Sequence, residues 1–259
     1  MTSGPVVFSV IVPAYNEASR LPRALDRLRR HLDEASEAYE VIVVDDGSDD
    51  ATAEEAQRRA EAWPELQVVR LPINAGKGAA VREGMLRARG DHRAFSDADL
   101  STPLEELARL RARLVGNCHV AIASRGLPEA NIEVHQSWPR EFAGRTYNKL
   151  LRLLVLPGIH DSQCGLKVFT ATAANKCFTP LRTNRFGFDA EVLVRARREG
   201  WSIAEVPVRW RHVEASRVSA GRDAARMLYD LLRLRFAGVD TGEPAGSTSV
   251  DGVTSPTEP

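Results

Sequence analysis

Two aspartates separated by one residue, Asp97 and Asp99, follow a short apolar run in the stretch FSDADLSTP. Carboxylate oxygens suit hard divalent cations such as Mg²⁺ and Mn²⁺. A cation with open coordination positions can bridge to substrate phosphates and stabilise the charge on a leaving group. Aspartate and serine also favour turns, and the Asp-x-Asp spacing alone is not specific. The pair therefore indicates either a metal site or a simple turn.

The segment Asn74-Ala75-Gly76-Lys77-Gly78 is a second candidate for phosphate chemistry. Glycines permit close approach of the backbone, and a lysine at the start of a helix favours phosphate binding. The spacing matches neither the P-loop nor the dinucleotide-binding fingerprint, so both of those sites are excluded. The alternative is a loop that carries a solvated lysine.

The adjacent acids of Asp45-Asp46-Gly47-Ser48 follow another apolar run. An acid at the end of a strand can hydrogen-bond a base or a ribose, as in other nucleotide sites. The same four residues could instead form a turn and cap the next helix.

The elements that must position these residues alternate between β-branched runs and amphipathic segments. We predict strands at 6–12, 41–44, 66–71, 93–96 and 120–124, and helices at 19–37, 51–62, 76–89 and from Pro103 onward. Pro13 is expected to end the first strand. This alternation predicts an α/β fold with a mostly parallel central sheet flanked by helices. Ligands of such sheets gather at the carboxyl ends of the strands, where all three motifs fall.

The alternation weakens after residue 126. There we predict a loop at 126–139, helices at 140–156, 187–199 and 217–236, and strands at 163–170 and 203–208. The last segment has four acids and no basic residue and is rich in Gly, Ser, Thr and Pro. We therefore predict a single domain over 1–237 and a disordered tail over 238–259.

The overall charge excludes some partners. Lys and Arg total 35 and Asp and Glu total 35, so no global field points to nucleic acid. The cysteines are few and odd in number (Cys118, Cys164 and Cys177), which favours a reducing compartment. The first residues, MTSGPVVFSVIVPAY, have no charged n-region and no cleavage site, so we expect a strand there and not a signal peptide, and no apolar run reaches about 18 residues. We therefore expect a cytoplasmic protein.

Four ordered blocks, VIVPAYNEASRL, VIVVDDGSDDAT, NAGKGAAVREGM and SDADLS, together resemble family 2 glycosyltransferases, which have the GT-A fold. The later blocks DSQCGLKVF, RFGFDAEVL, AEVPVRW and HVEASRV are most similar to polyprenyl-phosphate sugar synthases, in particular dolichyl-phosphate β-glucosyltransferases. The resemblance covers about residues 6–220. It implies inverting transfer of a sugar, glucose, from UDP-glucose to a polyprenyl phosphate, with Mg²⁺ or Mn²⁺ as cofactor.

The same resemblance implies roles for individual residues. The nucleotide-sugar site would comprise Pro13, Tyr15, Glu17, Asp46, Lys77, Asp97, Ala98, Arg125 and Arg217. Asp99 would be the main metal ligand, with Asp97 and His212 as further candidates. The candidate catalytic residues are Asp97, Asp99 and Asp189, and the sugar or acceptor pocket would include Asp161 and Gln163.

Several of these roles have structural alternatives. His212 could be a partly buried structural histidine instead of a metal ligand. Asp189 could be a sugar contact or weak base, or it could cap the helix that follows Gly187. Arg125 could approach the phosphate of either donor or acceptor.

The acceptor decides how much base catalysis the reaction needs. A lipid phosphate is already ionised near neutral pH, whereas an alcohol acceptor needs a general base. The segments 140–156 and 217–236 combine aliphatic and basic residues, so either could make peripheral contact with a membrane, but an ordinary core-facing helix has the same pattern and is more common. A soluble or cell-wall acceptor, or a nucleotide-sugar-binding protein without turnover, remain as alternatives.

Overall fold

The computed structural model describes residues 5–213 and 222–236. The predicted tail and Arg217 lie outside the described residues. The strands are β1 (Phe8–Ala14), β2 (Tyr39–Asp45), β3 (Leu66–Arg70), β4 (His92–Ser96), β5 (Cys118–Ser124), β6 (Asn131–Val134), β7 (Leu166–Thr170), β8 (Ser202–Pro207) and β9 (Arg209–Arg211). The helices are α1 (Leu21–Glu34), α2 (Thr52–Ala60), α3 (Lys77–Arg87), α4 (Glu106–Arg111), α5 (Trp138–Leu154), α6 (Ala171–Phe178), α7 (Phe188–Arg198) and α8 (Arg222–Phe236).

Seven strands form one sheet in the order β3-β2-β1-β4-β7-β5-β8. All neighbours are parallel except β7, which runs antiparallel to both β4 and β5. The predicted α/β fold with a mostly parallel central sheet is confirmed. Because β7 is reversed, its first residue lies opposite the last residue of β4, in the pair Ser96–Leu166. The turn that precedes β7 therefore reaches the carboxyl ends of the parallel strands.

Apolar side chains cover both faces of the sheet. On one face, Val10 and Val12 pack with the leucines of α1, and on the other, Ile11 and Val44 pack with α3 and α7. Alternate residues of one strand serve opposite faces, which explains why β1 reads as a continuous apolar run. No described helix combines the length and the apolar character that crossing a bilayer requires.

The prediction that Pro13 ends the first strand is wrong, because β1 continues to Ala14. Ala14 accepts a hydrogen bond from Asp46 N, so its polar groups face β2 and those of Pro13 face the other side. On that side the pairing with β4 has already ended at Ile11–Phe95. The missing N–H of proline therefore costs no ladder hydrogen bond.

The second half of the chain contains elements that we did not predict. Strand β6 lies within the predicted loop and pairs with β9 in a separate two-stranded sheet. Helix α6 follows β7 directly, and the Thr170 hydroxyl accepts a hydrogen bond from Ala173 N as its N-cap.

An ion pair between a partly buried arginine and a buried aspartate ties the end of β5 to the segment before β7. Arg125 donates from Nε to Asp161 Oδ2 at 2.7 Å and from Nη2 to Oδ1 at 3.0 Å. Asn148 of α5 and the backbone N–H of Gln163 donate to the same carboxylate. Burial alone would raise the pKa of Asp161, but the charge and hydrogen bonds of Arg125 hold this pKa well below its usual range. The ionised carboxylate therefore stabilises the folded state.

Replacing this carboxylate by an amide tests the contribution. We expect Asp161→Asn to lower the free energy of unfolding at pH 7 by about 3 kcal/mol, because one amide hydrogen would face the guanidinium. The carboxylate's contribution is complete above its unfolded pKa of about 3.9 and is lost as the pH falls below it. Denaturant unfolding from pH 7 to pH 3 should therefore show the difference between the two proteins shrinking in acid. The matched control Asp26→Asn, in an exposed pair with Arg59, should cost about 1 kcal/mol or less. A constant difference at all pH values would contradict the assignment.

Candidate active site

Strand β4 and helix α3 bring two predicted residues into direct contact at the carboxyl ends of the strands. Asp97 follows β4 and Lys77 begins α3. The Lys77 Nζ lies 2.5 Å from Asp97 Oδ1, and both side chains are partly exposed. This pair is the centre of the candidate site, since an ammonium and a carboxylate there can act on a charged ligand from solvent.

Gly165, in the turn before β7, supports Asp97 from below. Its carbonyl accepts a hydrogen bond from Asp97 N at 3.2 Å. A Cβ atom on Gly165 would lie 2.0 Å from Asp97 Oδ2, so only glycine leaves room for the carboxylate there. The reversal of β7 thus fixes the position of the first aspartate.

Asp99 lies in a tight, strained turn beside this pair. Its Oδ1 accepts a hydrogen bond from Ser101 N at 2.9 Å, and the intervening Leu100 has a φ of +48°. Such a conformation is unfavourable for leucine and is held by the surrounding structure. Burial raises the pKa of Asp99, and the negative charge of Asp97 raises it further.

The two carboxylates fit a divalent cation. They are hard oxygen ligands close enough for the charge of one to act on the other, and a cation would relieve this repulsion. Asp97 and Asp99 are therefore the residues of this site that could hold Mg²⁺ or Mn²⁺.

The glycines around Lys77 admit a neighbouring backbone segment. A Cβ on Gly76, which has a φ of +110°, would lie 2.5 Å from the carbonyl oxygen of Asn184, and one on Gly78 would lie 2.6 Å from that of Thr183. Burial acts to lower the pKa of Lys77, but the carboxylates of Asp97 and Asp189 outweigh burial and raise this pKa. Lys77 therefore stays a cation, as a phosphate ligand would require.

Asp46 fixes the loop that leads to Lys77. Its two carboxylate oxygens accept hydrogen bonds from Ala75 N and Gly76 N, each at 2.8 Å. The side chain is buried, and burial raises its pKa. The structure gives this residue a structural contact, and the predicted contact with the base stays a prediction.

The loop between β1 and α1 forms another side of the site. The Tyr15 hydroxyl is 3.5 Å from Asp49 Oδ2, and Glu17 pairs with Arg20 at 2.6 Å. The hydrogen bond that Arg20 donates to Glu17 raises the pKa of Arg20, and the charge of Asp99 contributes to this effect. Arg20, which we did not predict, therefore lies within electrostatic reach of the carboxylate pair.

Arg125, Asp161 and Gln163 occupy the region beneath α5 and α8. The Arg125 guanidinium, bound to Asp161, also lies 5.2 Å from the centre of the Trp210 ring. Gln163 Nε2 lies 3.9 Å from the sulfur of Met227 in α8. The predicted roles of these residues toward phosphate or acceptor stay predictions.

His212 is not gathered with the aspartates. Its backbone N–H donates to Val134 O, and its ring stacks on Trp210 with centres 6.0 Å apart. Over residues 5–213 and 222–236, no three or more His, Cys, Asp and Glu side chains converge as a metal-binding group. A role for His212 as metal ligand stays a prediction, and so does the role of Arg217.

Asp189 is joined to a residue that we did not predict. Lys167 of β7 is fully buried, and its Nζ donates to Asp189 Oδ1 at 2.5 Å. Burial raises the pKa of Asp189, and the charge of Lys167 opposes this rise. The signal was present in the sequence, since a lysine between the apolar Leu166 and Val168 of a buried strand needs a partner. The catalytic role predicted for Asp189 stays a prediction.

Comparison with known proteins assigns the family. A model described as "Glycosyl transferase family 2" matches residues 9–178. A dolichyl-phosphate beta-glucosyltransferase of Drosophila melanogaster is 38% identical over 224 residues, which is 82% of this chain and 69% of that protein. The protein with the same description from Homo sapiens is 34% identical over 241 residues, covering 88% of this chain and 74% of the relative.

Solved structures share the fold at lower identity. Glucosyl-3-phosphoglycerate synthase from Mycobacterium tuberculosis, in complex with Mn²⁺, UDP and glucosyl-3-phosphoglycerate, aligns with a TM-score of 0.67 and 21% identity. The alignment covers 93% of this chain and 83% of that one. Another crystal structure of the same synthase holds Mg²⁺ and UDP. The central sheet and its helices thus form the GT-A fold, and by the family match and the relatives above 30% identity the chain belongs to glycosyl transferase family 2.

Proposed function

We propose that the protein is a metal-dependent, inverting glucosyltransferase that moves glucose from UDP-glucose to a polyprenyl phosphate of the dolichyl type. The observation that carries this proposal is the cluster of Lys77, Asp97 and Asp99 at the carboxyl ends of the strands. A cation beside two carboxylates is the arrangement that a nucleotide diphosphate and its metal require.

The relatives and neighbours support the choice of substrates. The relatives' descriptions specify a dolichyl phosphate acceptor and a glucosyl group. The solved neighbours contain UDP with Mn²⁺ or Mg²⁺ in the same fold. These observations favour UDP-glucose as the donor and a divalent cation as the cofactor.

The site residues divide the work between them. A Mg²⁺ or Mn²⁺ held by Asp97 and Asp99 would stabilise negative charge on the departing diphosphate. Lys77, which the surrounding acids keep protonated, would bind the same phosphates from the α3 side. The acceptor phosphate is already ionised and needs no strong base to attack the anomeric carbon. A single displacement gives a β-linked product from the α-linked donor.

An exposed apolar surface supports a lipid acceptor. We call it the α5/α8 face. It comprises the exposed residues Trp138, Phe142 and Leu153 of α5 and Leu228, Tyr229, Leu232 and Phe236 of α8. Exposed cations accompany it on the same helices, namely Arg145, Lys149, Arg152 and Arg235. Apolar and basic residues together suit the surface of an anionic membrane, and we propose peripheral contact with its cytoplasmic side.

Incubation of the purified protein with UDP-glucose, Mn²⁺ and polyprenyl phosphate tests the function. We expect a glucosylated lipid, detected by mass spectrometry, and no product when a chelator removes the metal. A panel of other nucleotide sugars and of soluble acceptors serves as the comparison. Transfer to a soluble acceptor alone, or binding of the donor without turnover, would contradict the proposal.

Removal of one proposed metal ligand should strongly lower the catalytic efficiency. We expect Asp99→Asn to lower kcat/KM by about 10²–10³-fold, because the charge that develops on the diphosphate loses its counter-ion. The measurement is the initial rate of lipid glucosylation over a series of Mn²⁺ concentrations. The exposed Asp26→Asn variant should keep the wild-type rate. A rate unchanged in Asp99→Asn, with metal still bound, would remove Asp99 from the metal site.

Polar substitutions in the α5/α8 face should weaken membrane binding. Trp138 and Phe142 are 76% and 58% exposed and stack on each other with centres 5.5 Å apart. Burying either ring is worth about 1.5–3 kcal/mol. We therefore expect Trp138→Ser with Phe142→Ser to reduce cosedimentation with phosphatidylserine vesicles at least about tenfold. Val115→Ser, at an apolar site that is 69% exposed, is the control and should bind as wild type. Equal vesicle binding by both variants would refute the membrane contact.

A further inference from the structure

Lys167 is a fully buried cation in β7, two residues after the Gly165 that contacts Asp97. It lies opposite Phe95 in the antiparallel pairing of β4 and β7. Its Nζ donates to the carbonyl of Cys164 at 2.8 Å and to Asp189 Oδ1 at 2.5 Å, and it lies 5.1 Å from the centre of the Phe95 ring. The ammonium is thus fully engaged by a turn, a helix and a strand.

Stability alone does not explain a charged pair in this position. Removing two charges from water costs several kcal/mol per ion, and apolar side chains of similar volume often replace buried pairs without loss of stability. Phe95 and Phe169, which lie on the same face of the sheet as the Lys167 side chain, are buried apolar residues, so a methionine at position 167 would suit the surroundings. The pair therefore supplies defined geometry, which an apolar contact would not.

Lys167 is connected to Asp97 through the turn that precedes β7. Lys167 holds the carbonyl of Cys164, and the next residue is Gly165. Gly165 accepts the hydrogen bond of Asp97 N and lies against the Asp97 carboxylate. A shift of this turn would therefore move the carboxylate.

Asp189 is connected to Lys77 through its charge and through helix α7. Asp189 belongs to α7, and its negative charge acts on the Lys77 ammonium. In the same helix, buried Glu191 accepts hydrogen bonds from the backbone N–H groups of Arg182 at 3.1 Å and Thr183 at 2.9 Å. That segment packs on the glycines at both sides of Lys77. The position of α7 therefore sets the position of the lysine.

We propose that Lys167 and Asp189 are a positioning pair that holds Asp97 and Lys77 in register with each other. The pair itself touches neither donor nor acceptor, and only 8% of the Asp189 side chain is exposed. Asp189 then acts through Lys167 and does not serve as a base or a sugar contact. This inference rests on the proposed function, because it assumes that Asp97 and Lys77 bind a nucleotide diphosphate and its metal.

A double-mutant cycle with Lys167→Met and Asp189→Asn separates positioning from chemistry. Binding of UDP in the presence of Mn²⁺, measured by calorimetry, provides a readout that needs no acceptor and no turnover. We expect each single variant to weaken this binding and to lower kcat/KM by about 10–100-fold, the usual effect of residues that orient ligating groups. The double variant should bind UDP no more weakly than the weaker single variant, because both substitutions remove the same ion pair.

The same set of variants shows whether weaker UDP binding is only a consequence of lower stability. The double variant leaves no uncompensated buried charge, so it should fold even if Lys167→Met alone does not. Glu40→Gln is the matched control. Glu40 is a buried carboxylate near the opposite ends of the strands, where it accepts hydrogen bonds from Ser9 and Arg89. The Glu40→Gln variant should have a lower melting temperature and unchanged UDP binding.

Two results would overturn the proposal. If Asp189→Asn abolished transfer while Lys167→Met kept it and UDP binding stayed normal in both, Asp189 would be a reacting group. If the folded double variant bound Mn²⁺ and UDP as tightly as wild type, the pair would be a purely structural feature. If wild type bound UDP and Mn²⁺ but glucosylated no lipid, the proposed acceptor would be wrong. The UDP-binding measurements would still decide whether the pair positions Asp97 and Lys77.

Discussion

The reversal of one strand is the constraint on which the site depends. Because β7 runs antiparallel between β4 and β5, the turn that precedes it meets the carboxyl end of β4. An exclusively parallel sheet would place this turn at the opposite edge. The reversed strand brings Gly165 under Asp97 and buries Lys167 behind Phe95. The position of the first aspartate is therefore set by sheet topology as well as by the end of its own strand.

Charges of opposite sign alternate through the site and through the core behind it. Lys77 lies between the carboxylates of Asp97 and Asp189, and Asp189 in turn binds Lys167. The buried charges of Lys167 and Asp189 are paired with each other, as the cost of desolvation demands. The Asp99 carboxyl, whose pKa is raised by burial and by Asp97, carries the excess negative charge that a divalent cation would balance.

The sequence allowed prediction of the parts that depend on local pattern. Asp97, Asp99 and Lys77 follow or begin elements with clear hydrophobic periodicity, and parallel topology places such boundaries at one edge. Gly165 and Lys167 contribute through contacts across β4 and β7, and no local pattern reports the reversed direction of a strand. The pairing of β6 with β9 joins Asn131 to Arg209, which is also beyond the reach of periodicity. The predicted role of Arg125 came from resemblance, and that of Asp46 came also from its place at the end of a strand. The contacts of their side chains with Gly76 and Asp161 had to be observed.

The most direct test of the account is the location of the metal in a crystal grown with Mn²⁺ and UDP. Anomalous scattering recorded at the manganese absorption edge distinguishes manganese from the lighter atoms of the protein and of UDP. We predict a single strong peak between the carboxylates of Asp97 and Asp99, with the diphosphate within reach of Lys77. A manganese peak elsewhere, with these two carboxylates bound only to protein groups, would contradict the central claim.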